Sequence, residues 1–196
     1  MKRLIKKSTN ENLEEMIDLI EGLAKWCQWD LGTLDVNRML ELNPDCVYNG
    51  KLYRGMGTQG YDVLDIIEET NIEFPITVMD IVNKVKKELI YIDNKYCSFT
   101  KELQQAEDWN NTRDFNQQSC SYIVEIESKG LDIEKVYNKW KDDINTESMS
   151  IINDCLFIKE VISKLSHDFK IYSIQGIKDF SKQINSRDEL KEFLNA

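Results

Sequence analysis

Three side chains in this sequence have the types and settings from which chemistry can be built: Arg54, Ser98 and Glu160. Glu160 lies in LFIKEVIS, where strand alternation puts Leu156, Ile158, Glu160 and Ile162 on one face. A carboxylate between Ile158 and Ile162 is costly to desolvate unless a cation or a hydrogen-bond donor meets it. The plain alternative is an edge-strand charge that discourages sheet association. Arg54 stands before Gly55 at the end of a strand-like CVYNGKLYRGM. Its planar fork suits phosphate oxygens, and a following glycine lets backbone approach a ligand. A turn beside a surface charge has the same sequence. Ser98 and Thr100 bracket Phe99 in a short strand that runs straight into a helix. There too a structural reading exists: Thr100 as helix N-cap, Phe99 as core, Ser98 as a strand hydroxyl.

Composition weighs against other chemistries. His167 is the only histidine, which rules out the common His-based metal clusters and weighs against a Ser-His-Asp relay. Its place in a polar turn predicts a solvated residue. The five cysteines, Cys27, Cys46, Cys97, Cys120 and Cys155, show no C-x-x-C pair, so reduced thiols and no metal site are expected. The 25 basic and 35 acidic residues leave a net charge of −10, which opposes non-specific nucleic-acid binding. No apolar run is long enough to span a bilayer, and none follows the basic MKRLIKKS, so cytoplasmic action is expected, without a secretory signal or membrane partner.

These residues need elements to hold them, and the patterning predicts an α+β chain. Ser8 and Glu11 form a capping box ahead of a helix with Leu13, Met16, Ile17, Ile20, Leu23, Ala24 and Cys27 at helical spacing, ending at Trp26 and Trp29. A second helix is expected over Leu34–Leu42. Residues 1–43 thus form a helical appendage with no evident chemistry, and Pro44 opens the main domain, 44–196. A strand follows over Cys46–Met56, with Asn49-Gly50 as a possible tight turn. Val63, Leu64 and Ile67 suggest a short helix. Thr77 caps a longer one through Val78, Ile81, Val82, Val85 and Leu89, and Tyr91 to Lys95 is a polar interval. The strand at Ser98–Thr100 leads into a helix with Leu103 and Ala106 inward. Ser119–Glu127 alternates with Tyr122, Val124 and Ile126 on one face, and Asp132 caps a helix carrying Ile133, Val136, Tyr137 and Trp140. Asp142–Asn153 has no clear period and is expected to be a loop. Leu156–Ile162 and Phe169–Ile174 then read as two strands of a hairpin, joined by a polar turn from Lys164 to Asp168. A Ser186/Glu189 capping box opens a last helix with Leu190, Phe193 and Leu194 inward.

Taken in order, LYRGM, CSFTKELQQAEDW and FIKEVISKLSHDFKI resemble the Arg-Ser-Glu class of mono-ADP-ribosyltransferases, which includes clostridial toxins and bacteriophage modifying enzymes. In that class a first-strand arginine precedes a Ser-Thr-Ser-like strand that leads into a helix with an alanine and an aromatic. A Glu-x-Glu or Gln-x-Glu then opens an E-V-L strand, followed by a turn and an F-x-I strand. Arg54, Ser98-Phe99-Thr100, Ala106 with Trp109, Glu160-Val161-Ile162 and Phe169-Lys170-Ile171 occupy those places. The resemblance covers roughly residues 47–174. It departs at Phe99, where alternate hydroxyls survive, and at Ile158, where the family has its first Glu or Gln.

What the resemblance implies is an ADP-ribosyltransferase-like fold: two small packed sheets around an NAD cleft, with NAD as substrate and no metal. Glu160 and Ser98 would be catalytic, Glu160 stabilising the ribosyl oxocarbenium and Ser98 orienting it. Arg54, Gly55, Ser98 and Thr100 would bind the dinucleotide, and position 158 would govern target recognition. Ile158 can neither take a proton from a guanidinium nor hydrogen-bond an amide, so a macromolecular acceptor, a protein, modified elsewhere than on arginine is expected. The exception would be Glu147 or Asp154 reaching in from the preceding loop. An NAD glycohydrolase on the same fold, and an inactive interaction protein such as a phage component or inhibitor, are the alternatives.

Overall fold

The computed structural model describes residues 2–30, 32–59, 63–65, 67, 73–88, 96–112, 119–165 and 168–194. The predicted turn from Lys164 is described only in part, and His167, Leu89 and the Tyr91–Lys95 interval lie outside these residues. Helices and strands are mixed, and the strands form two antiparallel sheets, the smaller made of two strands. The chain divides into two units: Met1–Asn49 with Lys129–Ser163, and Gly50–Ser128 with Lys164–Ala196. No helix among the described residues is long and apolar enough to cross a membrane.

The first unit is built on helix α1, Lys2–Cys27. Ser8 therefore lies inside this helix rather than at its N-cap, because helical backbone extends upstream of the capping box. Met16, Ile20, Leu23 and Ala24 are buried, as their spacing predicts, and so are Leu19 and Trp26. The helix stops in a paired left-handed ending. Trp29 donates its N–H to the Trp26 carbonyl at 2.9 Å and Asp30 to that of Lys25 at 3.0 Å, with Trp29 at φ 72°. Glycine usually fills that position, and a bulky residue there is strained.

Helix α2, Val36–Leu42, starts later than expected because Asp35 caps it, accepting from the Arg38 N–H at 3.0 Å. Beyond it, fully buried Asn43 accepts the Trp140 indole N–H at 2.7 Å and donates to the Met39 carbonyl at 2.9 Å.

The main departure from expectation lies in residues 142–158. The predicted loop contains helix α6, Glu147–Cys155, which packs closely on α1 through an inner side that includes buried Met149 and Ile152. Two buried apolar residues among polar ones are too few to announce a helical period. Leu156–Ile158 is then a 3-10 turn rather than strand, and Lys159 takes the left-handed conformation, φ 54°. The strand, β5, begins only at Glu160 and ends at Lys164. Ile158 therefore shares no strand face with Glu160. Lys159 does not point to an opposite strand face either; its Nζ lies 3.9 Å from Glu134 Oε1.

Strand β4, Ser119–Asp132, is longer than predicted and ends by pairing antiparallel with β5, Leu131 opposite Ile162. A Cβ on Gly130 would meet the Ile162 carbonyl at 2.6 Å, so glycine there lets β5 lie close. Asp132 caps α5, Ile133–Trp140, accepting from the Lys135 N–H at 3.4 Å.

In the second unit the start of β4 pairs antiparallel with β6, Lys170–Ile174. Because β5 and β6 each pair with β4, they are not the two arms of a hairpin. A bulge at Ile123/Val124 breaks the simple alternation, and Tyr122, Ile123, Val124 and Ile126 are all buried. Strand β1, Val47–Gln59, runs unbroken through Asn49-Gly50 and pairs antiparallel with β3, Tyr96–Thr100, with Tyr53 opposite Thr100. Strands β2, Ile76–Thr77, and β7, Gln183–Ile184, form the small sheet.

Of the predicted short helix, residues 63–65 are helical, and Val63 and Ile67 are buried. Helix α3, Val78–Glu88, is capped as expected: Thr77 Oγ1 accepts from the Asp80 N–H while Asp80 Oδ2 accepts from that of Thr77. Helix α4 is Leu103–Thr112 and α7 is Arg187–Leu194. In α7, Leu190, Phe193 and Leu194 are buried; Ser186 Oγ accepts from the Glu189 N–H, but Glu189 reaches back to the N–H of Asn185 rather than Ser186.

Candidate active site

The second unit holds Arg54, Gly55, Ser98 and Thr100. Arg54 lies within β1, not at its end, since extended pairing continues to Gln59. Its side chain is half-buried and its Nη1 donates to the backbone carbonyl of Ser98. The Arg54 Nε is also buried and has no acceptor among the described residues. A charged donor left without a partner costs free energy, and a ligand oxygen would recover it.

Thr100 is buried, and its Oγ1 accepts the Glu102 N–H at 3.2 Å just ahead of α4. This local bond serves the strand-to-helix turn, close to the capping role read from sequence, and leaves the hydroxyl proton for another acceptor. Phe99 is core, 2% exposed, and Ser98 is half-buried.

Gly55 has a packing reason of its own. A Cβ there would stand 2.6 Å from Asn110 Oδ1 and 2.9 Å from the Ala106 carbonyl, both on α4. The missing side chain lets β1 lie against the helix that carries Ala106 and Trp109. Only the backbone of Gly55 is then available for the role that the resemblance assigns it.

Glu160 belongs to the first unit. It opens β5, is 7% exposed, and its Oε1 accepts the Trp26 indole N–H at 2.9 Å. The left-handed turn at Lys159 and the closeness of Gly130 set the direction from which the strand begins. Left-handed non-glycine residues are sparse and persist where the surrounding structure over-determines them.

Two thiols accompany the carboxylate. Burial raises the Cys27 thiol well above the ordinary range, with the Glu160 and Cys155 charges adding to it. Cys155 is raised chiefly by burial, and its Sγ lies 4.0 Å from the Cys27 carbonyl oxygen. Such thiols stay protonated and are poor nucleophiles.

Ile158 is half-buried in the turn two residues ahead of Glu160. Glu147 and Asp154, read as loop carboxylates, are held on α6 by helical backbone. Seven residues apart, they share one helix face and cannot swing in as loop residues would.

The structure thus joins Arg54 to Ser98 in one unit and places Glu160 beside Trp26 in the other. Sequence reasoning gave α1 no chemistry and missed Trp26. A tryptophan on a buried helix face was the available signal, because a buried indole N–H needs an acceptor. Among the described residues no group of three or more His, Cys, Asp or Glu is placed to hold a metal ion. Comparison with known protein families, with curated proteins and with solved structures found no match.

Proposed function

We propose that the chain is an NAD-dependent mono-ADP-ribosyltransferase, on an ADP-ribosyltransferase-like fold, that modifies a macromolecular acceptor elsewhere than on arginine. The observation that carries this reading is Glu160: a buried carboxylate at the opening of a strand, one oxygen held by an indole donor. Its place in the order Arg54, Ser98, Glu160 is the order of the family that the sequence resembles.

The chemistry follows from charge. The bond between nicotinamide and ribose C1′ breaks with its electron pair going to nicotinamide, which leaves neutral. Positive charge gathers on the ribosyl oxocarbenium. An ionised Glu160, fixed before the reaction, stabilises that charge and accepts a ribose hydroxyl hydrogen bond; such preorganised electrostatics is commonly the largest catalytic contribution. An acceptor lone pair then forms the new bond to C1′, and the acceptor's proton passes to solvent. Arg54 holds a phosphate oxygen of the dinucleotide, a role its unmatched Nε supports. Ser98 and Thr100 offer hydroxyls toward the same ligand, and the Gly55 backbone receives the nicotinamide amide.

Ile158 favours a second reading, transfer to water. An aliphatic side chain just before Glu160 supplies no group to deprotonate or orient a protein nucleophile. An interaction protein on an inactive transferase fold is the remaining alternative, and failure to bind NAD would select it.

The test is incubation with NAD labelled in its adenylate half and a bacterial lysate. Label on a macromolecule, placed by mass spectrometry on Ser, Thr, Asn or a nucleobase amine, supports the transferase. ADP-ribose released without labelled product supports the hydrolase. Label on arginine overturns the acceptor assignment, since Glu147 and Asp154 are held on α6.

A further inference from the structure

We infer that Trp26 is the positioning residue of Glu160, a role that rests on the reading of Glu160 as the catalytic carboxylate. The two residues are 134 positions apart, both buried, and joined by a 2.9 Å hydrogen bond from the indole N–H to Oε1.

The pairing of chemical types matters. Indole is a donor only and carries no charge, while an ionised carboxylate only accepts. An arginine or lysine in this place would bind the carboxylate more strongly, yet its cation would cancel the field that the oxocarbenium needs. A neutral donor fixes one oxygen and adds no opposing charge of its own.

The backbone is set to hold this contact. Trp26 stands one residue from the end of α1, where Trp29 takes a left-handed conformation, and Glu160 directly follows left-handed Lys159. Each partner is thus flanked by a strained, sharply defined chain direction. The packing of α1 on α6 and of Gly130 against β5 secures the two sides independently. Helix α1, on this account, delivers the donor that orients the carboxylate.

Trp140 provides the internal control, since its indole N–H goes to a neutral amide, Asn43 Oδ1, at 2.7 Å. The experiment compares nicotinamide release from NAD by the wild-type chain, Trp26→Phe and Trp140→Phe, with 1H–15N spectra of wild type and Glu160→Gln.

For Trp26→Phe, kcat should fall roughly tenfold or more, as for loss of a hydrogen bond to a charged group, with KM within about threefold. For Trp140→Phe, kcat should stay near wild type although the protein unfolds more readily. The Trp26 indole proton should move upfield in Glu160→Gln. A folded Trp26→Phe with kcat within threefold of wild type overturns the role. If Trp26→Phe does not fold, the spectra decide: an indole signal unmoved by Glu160→Gln overturns it equally. A wild-type chain that releases no nicotinamide overturns the function reading instead, even where the indole signal moves.

Discussion

The surroundings of Glu160 and of Arg54 differ in who completes them. Around Glu160 the protein supplies the complement: an indole N–H at 2.9 Å, burial to 7% exposure, and a left-handed residue aiming the strand. Around Arg54 the protein supplies half of it. Nη1 goes to the Ser98 carbonyl and holds the guanidinium in place, while the buried Nε has no acceptor among the described residues. A completed anion in a dry setting suits a group that acts on charge appearing later, in a transition state. A cation with a donor to spare suits a group that takes an anion already present in the ground state. Under the proposed function that difference is a division of labour: Glu160 for turnover, Arg54 for affinity.

The largest break in that comparison should come at Glu160. Glu160→Gln keeps the shape and an acceptor for Trp26 but removes the charge, so turnover should fall ~10²–10³-fold with NAD affinity nearly unchanged. Steady-state nicotinamide release and NAD titration on one preparation would show it, and turnover within threefold of wild type would remove Glu160 from the mechanism.

At Arg54 the effect should be smaller and of the other kind. Arg54→Lys replaces a rigid planar fork with a compact ammonium, which loses the fixed geometry that aims one N–H at the Ser98 carbonyl and another at a ligand oxygen. The NAD dissociation constant should rise about tenfold, a single strong contact's worth, with saturated turnover little changed. Unchanged affinity in calorimetry would return Arg54 to a purely structural role.

Gly55→Ala sharpens the Arg54 side by separating packing from binding. The added methyl meets the Ala106 carbonyl and Asn110 Oδ1 well inside contact distance, so β1 or α4 must shift. Overpacking of this kind costs about 1–3 kcal/mol, measurable by urea unfolding. Stability equal to wild type would show that α4 does not depend on the glycine.

The smallest effect concerns the thiol beside Glu160. Cys27 is held above its ordinary value of 9.0, first by burial and then by the Glu160 charge. Its folded pKa is raised, so the stability tied to the protonated thiol is present below the unfolded value and lost as pH rises through the folded one. Glu160→Gln removes the second cause and leaves the first. Alkylation of Cys27 at mildly alkaline pH should speed up a few-fold, yet remain slower than that of an unfolded control. Mass-spectrometric rates that do not change would mean that Glu160 carries no charge next to this thiol.

Legibility in the sequence followed the range of the interaction. Helices α3, α5 and α7 were readable because Thr77, Asp132 and Ser186 cap them locally and their apolar residues repeat at helical spacing. Helix α6 was not, since only a few apolar positions mark it and its stability comes from packing on α1. The strand assigned over Leu156–Ile162 misled for a related reason. Alternating apolar residues fit a 3-10 turn as well as a strand, and nothing in Lys159 announces φ 54°. Arg54, Ser98 and Glu160 could be named from their types and order. The Trp26 contact could not, because its acceptor lies 134 residues away and only the fold brings it near.

The most direct test of the central claim is the release of nicotinamide from NAD by the wild-type chain, measured with NAD alone and again with a bacterial lysate. The account predicts slow release with NAD alone and faster release with lysate, coupled mole for mole to ADP-ribose on a macromolecule. No nicotinamide above an enzyme-free blank in either case would contradict it.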